Sequence, residues 1–271
     1  MSKRTLAHLA ILGLLALYML PIAWMLSTAL KPDDELFTEQ IRWVPNRVAW
    51  ENYQHALATF PFGLYLRNTV LIAGLTVVGA LLSCLPPAYA FARLRWRGRG
   101  FWFWVMLSTL MLPPQVTLLP VFLLFRQLGW VDTFLPLIVP AFLGNAFLIF
   151  MLRQFFLTLP QELIDAARLD GCSEWAILWR LVAPMSKPAV ATVALFSFVW
   201  AWTDFMNPLI YLNDSSKFTL AVGLQYFLGR HGEQWNLLMA AATVVTAPLV
   251  LLFLLTQRAY VRGITLTGLK G

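Results

Sequence analysis

Six apolar stretches, each long enough to cross a bilayer, govern what this chain can fold into. They cover approximately His8–Ala29, Asn68–Ala92, Phe101–Phe125, Thr133–Leu152, Pro188–Leu212 and Leu237–Gln257. A spanning helix needs roughly 20 mostly apolar residues. Of the 271 residues, 59% are apolar and only 12% charged, where a soluble domain carries about 25% charged residues. Too little charge remains to cover a water-facing surface. The chain reads as an all-α polytopic membrane protein with six transmembrane helices and lipid bilayer as its solvent.

The first stretch follows Lys3 and Arg4, as a signal peptide would. No small-residue cleavage site follows it, and Trp24 and Met25 continue the apolar run, so it reads as a retained helix. Several stretches contain proline, among them Pro86, Pro87, Pro113, Pro114, Pro120, Pro136, Pro140, Pro208 and Pro248. Inside a bundle such prolines kink helices without breaking them, because neighbours satisfy the freed backbone groups.

Charge placement gives the orientation. Alternate gaps hold Lys3, Arg4, Arg93, Arg95, Arg97, Arg99, Arg153, Arg168, Arg180, Lys187, Arg258, Arg262 and Lys270. The other gaps hold Lys31, Arg42, Arg47, Arg67, Arg126, Lys217 and Arg230, spread over more residues. The positive-inside bias puts both termini in the cytoplasm. It also accounts for the formal charge of +7 without nucleic acid. The arginine turn at 93–99 reads as a topology anchor in preference to a lipid or nucleotide site.

Enzymatic chemistry has no foothold here. Cys84 and Cys172 lie far apart with no histidine near either, which argues against a disulfide or metal site. His8, His55 and His231 are scattered among three regions. No Gly-x-x-x-x-Gly-Lys-Ser/Thr stretch exists to cradle phosphates, so any ATP hydrolysis belongs to another chain.

The segment 153–187, placed inside, is the informative one. Thr158 with Gln161 forms a capping-box pattern, and Pro160 is tolerated in a first turn, so a short helix should start near Leu159. Gly171 is placed to end it in a left-handed cap. Ser173 can cap a second short helix, which Pro184 should end. Apolar Leu163 and Ile164, small Ala166 and Ala167, and polar Glu162, Asp165, Arg168 and Asp170 share the first helix. Helix physics alone leaves two readings open, a well-capped connector or a docking surface.

The same loop resembles that of ATP-binding-cassette importer permeases. Their pattern is Glu-Ala-Ala, three residues, Gly, nine residues, then Ile-any-Leu-Pro. This chain has Asp165, Ala166 and Ala167, three residues, Gly171, nine residues, then Leu181, Val182, Ala183 and Pro184. Three further stretches are similar to the carbohydrate-uptake type: Ala88–Arg93, Trp202–Leu209, and the C-terminal Gln257–Arg258 with Gly263–Gly271. The resemblance implies a type I importer permease fold and a bacterial inner-membrane location. It divides the chain into residues 1–67, a first helix with an extracytoplasmic loop, and a core over 68–271.

The resemblance also implies partners. A second permease, a different chain, would share the translocation path. Two ATPase subunits would dock below, and an extracytoplasmic solute-binding protein would deliver a sugar or polyol. This chain would bind no cofactor itself. Glu162, Asp165, Ala166, Ala167, Asp170, Gly171 and Pro184 would carry the ATPase contact. Gly171→Asp is expected to leave the complex assembled and uncouple hydrolysis from uptake.

Asp204 is the one acidic residue well inside a stretch, so it should face a cavity or a partner. Ser197, Ala201, Asp204 and Pro208 fall near one helical stripe, with Asn207 beside it and Trp200 and Trp202 flanking. Ser197, Trp200, Asp204 and Asn207 therefore read as path residues, or as a brace for helix packing. An ion-coupled transporter or channel is the alternative function. It would be expected to show repeated halves or several intramembrane ionisable groups.

Overall fold

The computed structural model describes residues 3–37, 42–228 and 234–267. Glu39, Arg230, His231 and residues 268–271 lie outside them. All regular elements among the described residues are helical. Four candidate spans are single helices or nearly so: Arg4–Ala29, Phe62–Arg93, Leu135–Leu157 and Trp235–Thr256. The other two candidates are bent pairs, Arg99–Met111 with Pro114–Gln127 at 96° and Glu174–Met185 with Lys187–Thr203 at 85°.

The helices are, in chain order, α1 (Lys3–Ala29), α2 (Glu51–Ala58), α3 (Phe62–Arg93), α4 (Arg99–Ser108), α5 (Pro114–Gln127), α6 (Leu135–Ile138), α7 (Ala146–Leu157), α8 (Gln161–Leu169), α9 (Glu174–Ile177), α10 (Ala183–Met185), α11 (Lys187–Thr203), α12 (Met206–Tyr211), α13 (Leu220–Gly223) and α14 (Trp235–Thr267). Arg67 lies in the first turns of α3, a helix of 32 residues that begins before the apolar run. One sequence expectation changes. The third apolar stretch is not one helix, because Leu112 and Pro113 are extended, with ψ of 116° and 135°. A residue before proline is pushed out of the helical region by the ring. The second proline then starts α5, where its missing N–H is harmless.

Two compact units divide the chain: Met1–Leu64 with Leu220–Leu251, and Tyr65–Thr219 with Leu252–Gly271. In the first, the Asn52 amide donates to the Ala29 and Lys31 carbonyls at 2.9 and 2.8 Å. The Asn236 amide reaches Asp33 at 2.7 Å. The Asn52 bonds satisfy backbone carbonyls where α1 ends.

In the second unit, α3 presents Ala80, Cys84, Ala88 and Ala92 at four-residue intervals, all buried. That spacing puts small side chains on one face. Small residues allow close helix approach, which is what associates helices in lipid. Leu148, Leu152 and Phe156 of α7, and Ala189 and Val193 of α11, join the same cluster. So do Ile164, Ile177, Leu178 and Val182, which ties the 158–187 segment into the core of the spans.

Candidate coupling loop and translocation cleft

The loop begins where α7 ends. The capping box does not form: the Thr158 hydroxyl donates to the Phe155 carbonyl at 2.8 Å, and Pro160 stands at the N-cap with no side-chain bond. Gln161 is turned to other partners. Its oxygen accepts from Arg93 Nη1 at 2.6 Å and its nitrogen donates to Asp165 Oδ1 at 3.0 Å.

The far end of α8 follows the sequence expectation. Gly171 has φ +77°. The Gly171 N–H donates to Arg168 O and the Cys172 N–H to Ala167 O, both at 3.0 Å. This paired closure is a Schellman motif, and it needs a left-handed residue where a side chain is disfavoured. Ser173 Oγ then accepts from the Ala176 N–H at 3.3 Å, capping α9. The second helix does not stop at Pro184. It passes through a wide π-turn over Leu178–Val182 and ends at Ser186, after α10. A proline cannot bond back to the fourth residue before it, and the wide turn lies just ahead of it.

Side chains from the end of α3 hold α8 in place. Arg93 Nε and Nη2 donate to Phe156 O at 3.0 and 2.5 Å, and Nη2 also donates to Leu159 O. Phe156 O is one of the last carbonyls of α7, at the helix end that attracts a cation. Tyr89 Oη donates to Glu174 Oε2 at 2.5 Å. Arg168 bridges Glu174 at 2.7 Å and Asp165 at 3.0 Å. A span end, α8 and the helix after it thus share one network of charge-assisted bonds, the stronger kind. Sequence reading assigned no role to Tyr89 or Glu174 and made Arg93 only an anchor. The Ala88–Arg93 stretch was the available signal.

The network and the buried Ile164 occupy the inner side of α8. Glu162, Leu163, Asp165, Ala166, Leu169 and Asp170 are exposed, Leu169 by 90%. Ala167 is half-buried, and Gly171 and Pro184 are exposed. The helix therefore offers an outward surface with apolar, small and acidic side chains, fixed from behind.

The path candidates separate into two places. α11 ends at Thr203, and Asp204 is extended with ψ 116°, so the expected helical stripe stops before it. The Asp204 carboxylate accepts from the Asn207 backbone N–H at 3.1 Å and from its side-chain amide at 2.8 Å. A short polar side chain in this position competes for backbone donors and favours a break. Asp204, Asn207 and Tyr211 line a cleft of about 470 Å³ whose other walls include Phe125, Pro136 and Leu143. Ser197 is buried without a hydrogen-bond partner. Trp200 is partly exposed and stacks on Phe196 with centroids 5.7 Å apart.

A second polar knot joins the loop after α5 to the segment after α12. Asp132, at φ +61°, accepts from the Asn213 and Asp214 N–H groups at 3.0 Å and from Lys217 Nζ at 2.7 Å. These donors, Lys217 first, hold the Asp132 carboxyl down at about 2. No metal-binding cluster of His, Cys, Asp or Glu occurs among the described residues.

Residues 77–266 match the family described as the binding-protein-dependent transport system inner membrane component. The chain belongs to this family. Among its relatives is the sulfoquinovosyl glycerol transport system permease protein SmoH of Agrobacterium fabrum, 32% identical over 271 residues, 100% of this chain and 95% of that one. The arabinooligosaccharides transport system permease protein AraQ of Halalkalibacterium halodurans is 32% identical over 256 residues, 93% and 91% of the two chains. A crystal structure of a bacterial ABC transporter involved in alginate import superposes with a TM-score of 0.83 at 24% identity, covering 95% of this chain and 98% of that one. The fold is that of a type I ABC importer permease. As a member, the chain is a multi-pass transport subunit of the bacterial inner membrane and not an enzyme. Membership implies ATP-hydrolysing, solute-binding and second-permease partners.

Proposed function

We propose that this permease imports a sugar or related polyol, with α8 as the lever that an ATPase subunit moves. The outward face of α8, with its exposed Leu169 and acidic rim held from behind by Arg93 and Arg168, is the observation that carries this reading. Glu162, Asp165, Ala166, Ala167, Asp170 and Gly171 meet a groove on the ATPase. Pro184 and the π-turn before it relay the motion toward α11. A partner that prefers one position of α8 in its ATP-bound state supplies the differential contact that coupling requires. This assignment places the loop and both termini in the cytoplasm.

Two ATPase copies and a different, second permease complete the assembly, and an extracytoplasmic binding protein feeds it. The chain itself binds no cofactor. Asp204 and Asn207 face the substrate from their cleft, while Trp200 and Ser197 stand apart from it on α11. A sugar suits aromatic surface beside polar groups, because it has an apolar face and a rim of hydroxyls. The carbohydrates named for the two relatives support that class. Affinity capture of the tagged chain tests the reading. It should bring down an ATPase, a second permease and a soluble protein that binds a sugar or polyol. Capture of the intact chain without any ATPase would refute it.

A further inference from the structure

Arg93, Arg95, Arg97 and Arg99 place four cations on one short turn between α3 and α4. Among the described residues none of them is ion-paired. Arg93 directs its donors to carbonyl oxygens and an amide, which leave its charge uncancelled. Arg93, Arg95 and Arg99 line a cleft of about 1000 Å³ whose opposite wall is Asp165, Arg168 and Glu174. The two acids there are already bridged by Arg168, so the cleft keeps a net positive wall. Trp96 stands at its edge.

The same Trp96 borders a second hollow of about 500 Å³. Its other lining is Phe91, Trp102, Val105, Met106 and Thr109, which is almost wholly apolar. A cationic cleft and a greasy groove therefore meet at one tryptophan, at the end of a membrane span. Guanidinium forks match phosphate oxygens in pairs. Tryptophan favours headgroup depth, and basic pockets between helices at that depth hold lipid phosphates.

We infer that this is a binding site for one anionic phospholipid, with its phosphate between Arg95 and Arg99, the Arg93 charge behind them, and an acyl chain in the groove past Trp96. Free phosphate would use the cleft and leave the groove empty, so the paired hollows favour lipid. A topology anchor needs neither hollow, and it makes Arg95 and Arg97 equivalent. They are not equivalent here: both are exposed, but Arg95 lines the cleft and Arg97 lines neither space. The site stands on the membrane reading and is independent of what the permease transports.

Native mass spectrometry of the full chain, purified with its bound subunits, tests it with phosphatidylglycerol and phosphatidylcholine as probes. Phosphatidylglycerol should be retained in preference, one molecule per chain. Arg95→Gln should weaken retention roughly five-fold, and Arg95→Gln with Arg99→Gln further. Arg95 is exposed and makes no hydrogen bond among the described residues, so its loss leaves the fold intact. Arg97→Gln should change little, and Trp96→Ala should weaken retention with the charge unchanged. Equal losses from Arg95→Gln and Arg97→Gln would overturn the site in favour of diffuse attraction. Displacement by millimolar inorganic phosphate, with Trp96→Ala silent, would overturn the lipid in favour of a free anion.

Discussion

Gly171 separates a local role from a docking role by the ranking of two substitutions. Its backbone sits at φ +77°, and a Cβ built there meets nothing within 4 Å. The chain itself therefore opposes a side chain only through backbone strain. For alanine in the left-handed region that strain is about 1–2 kcal/mol, which loosens the cap of α8 by a factor of roughly 5–30. Aspartate tolerates this region several-fold better than alanine. If Gly171 only closes the helix, Gly171→Ala should be the worse change and Gly171→Asp the milder. If the glycine also lies against an ATPase, the added carboxylate occupies space that is open only in the isolated chain. Gly171→Asp should then lose more sugar uptake than Gly171→Ala, with the complex assembled and ATP hydrolysis retained. Uptake and hydrolysis, measured on the same proteoliposomes for both variants, decide between these. An aspartate variant that equals or outperforms the alanine variant would refute the docking role.

Three further outcomes follow from the geometry. Arg93→Lys keeps the charge but cannot span Phe156 O, Leu159 O and Gln161 with one planar fork. It should speed amide hydrogen exchange across residues 158–175, and unchanged exchange would remove Arg93 as a clamp. Asp132 has a depressed pKa, so its bonds stabilise fully above the ordinary value near 3.8 and fade as pH falls toward about 2. Asp132→Asn should lower thermal stability by a constant amount from pH 5 to 8, and the gap should shrink below pH 4; a gap that grows with acid would contradict this. Asp204→Asn retains one acceptor oxygen for Asn207 in place of two. Uptake should fall more than stability does, and the reverse ranking would make Asp204 a brace for packing.

Much of the architecture was legible because bilayer chemistry is severe. Long apolar runs can satisfy their backbones in lipid only as helices or closed barrels, so the helical class and the rough extent of the long runs could be read directly. What could not be read was where a run bends. Pro86 and Pro87 lie inside α3, an uninterrupted helix, whereas Pro113 and Pro114 divide the third span at 96°. Both places read Leu-Pro-Pro, so the proline pair by itself does not decide where a run bends. Local chemistry announced Gly171 and Ser173, whose bonds reach only a few residues. The Thr158–Gln161 box failed because Arg93, distant in sequence, competes for Gln161. In the same way, Asp204 reads as a carboxylate within a span, yet it bonds Asn207 and ends the helix. The clamp through Tyr89, Glu174 and Arg168 joins residues up to 85 positions apart, and no local pattern could place it.

Cys172 offers the most direct test, because it is exposed beside Gly171 while Cys84 is buried. A membrane-impermeant maleimide should leave Cys172 untouched in intact spheroplasts. It should label Cys172 in inside-out vesicles stripped of peripheral subunits, and added ATPase should protect it. Modification of Cys172 from the outer face of sealed cells would contradict a cytoplasmic motor acting on this helix.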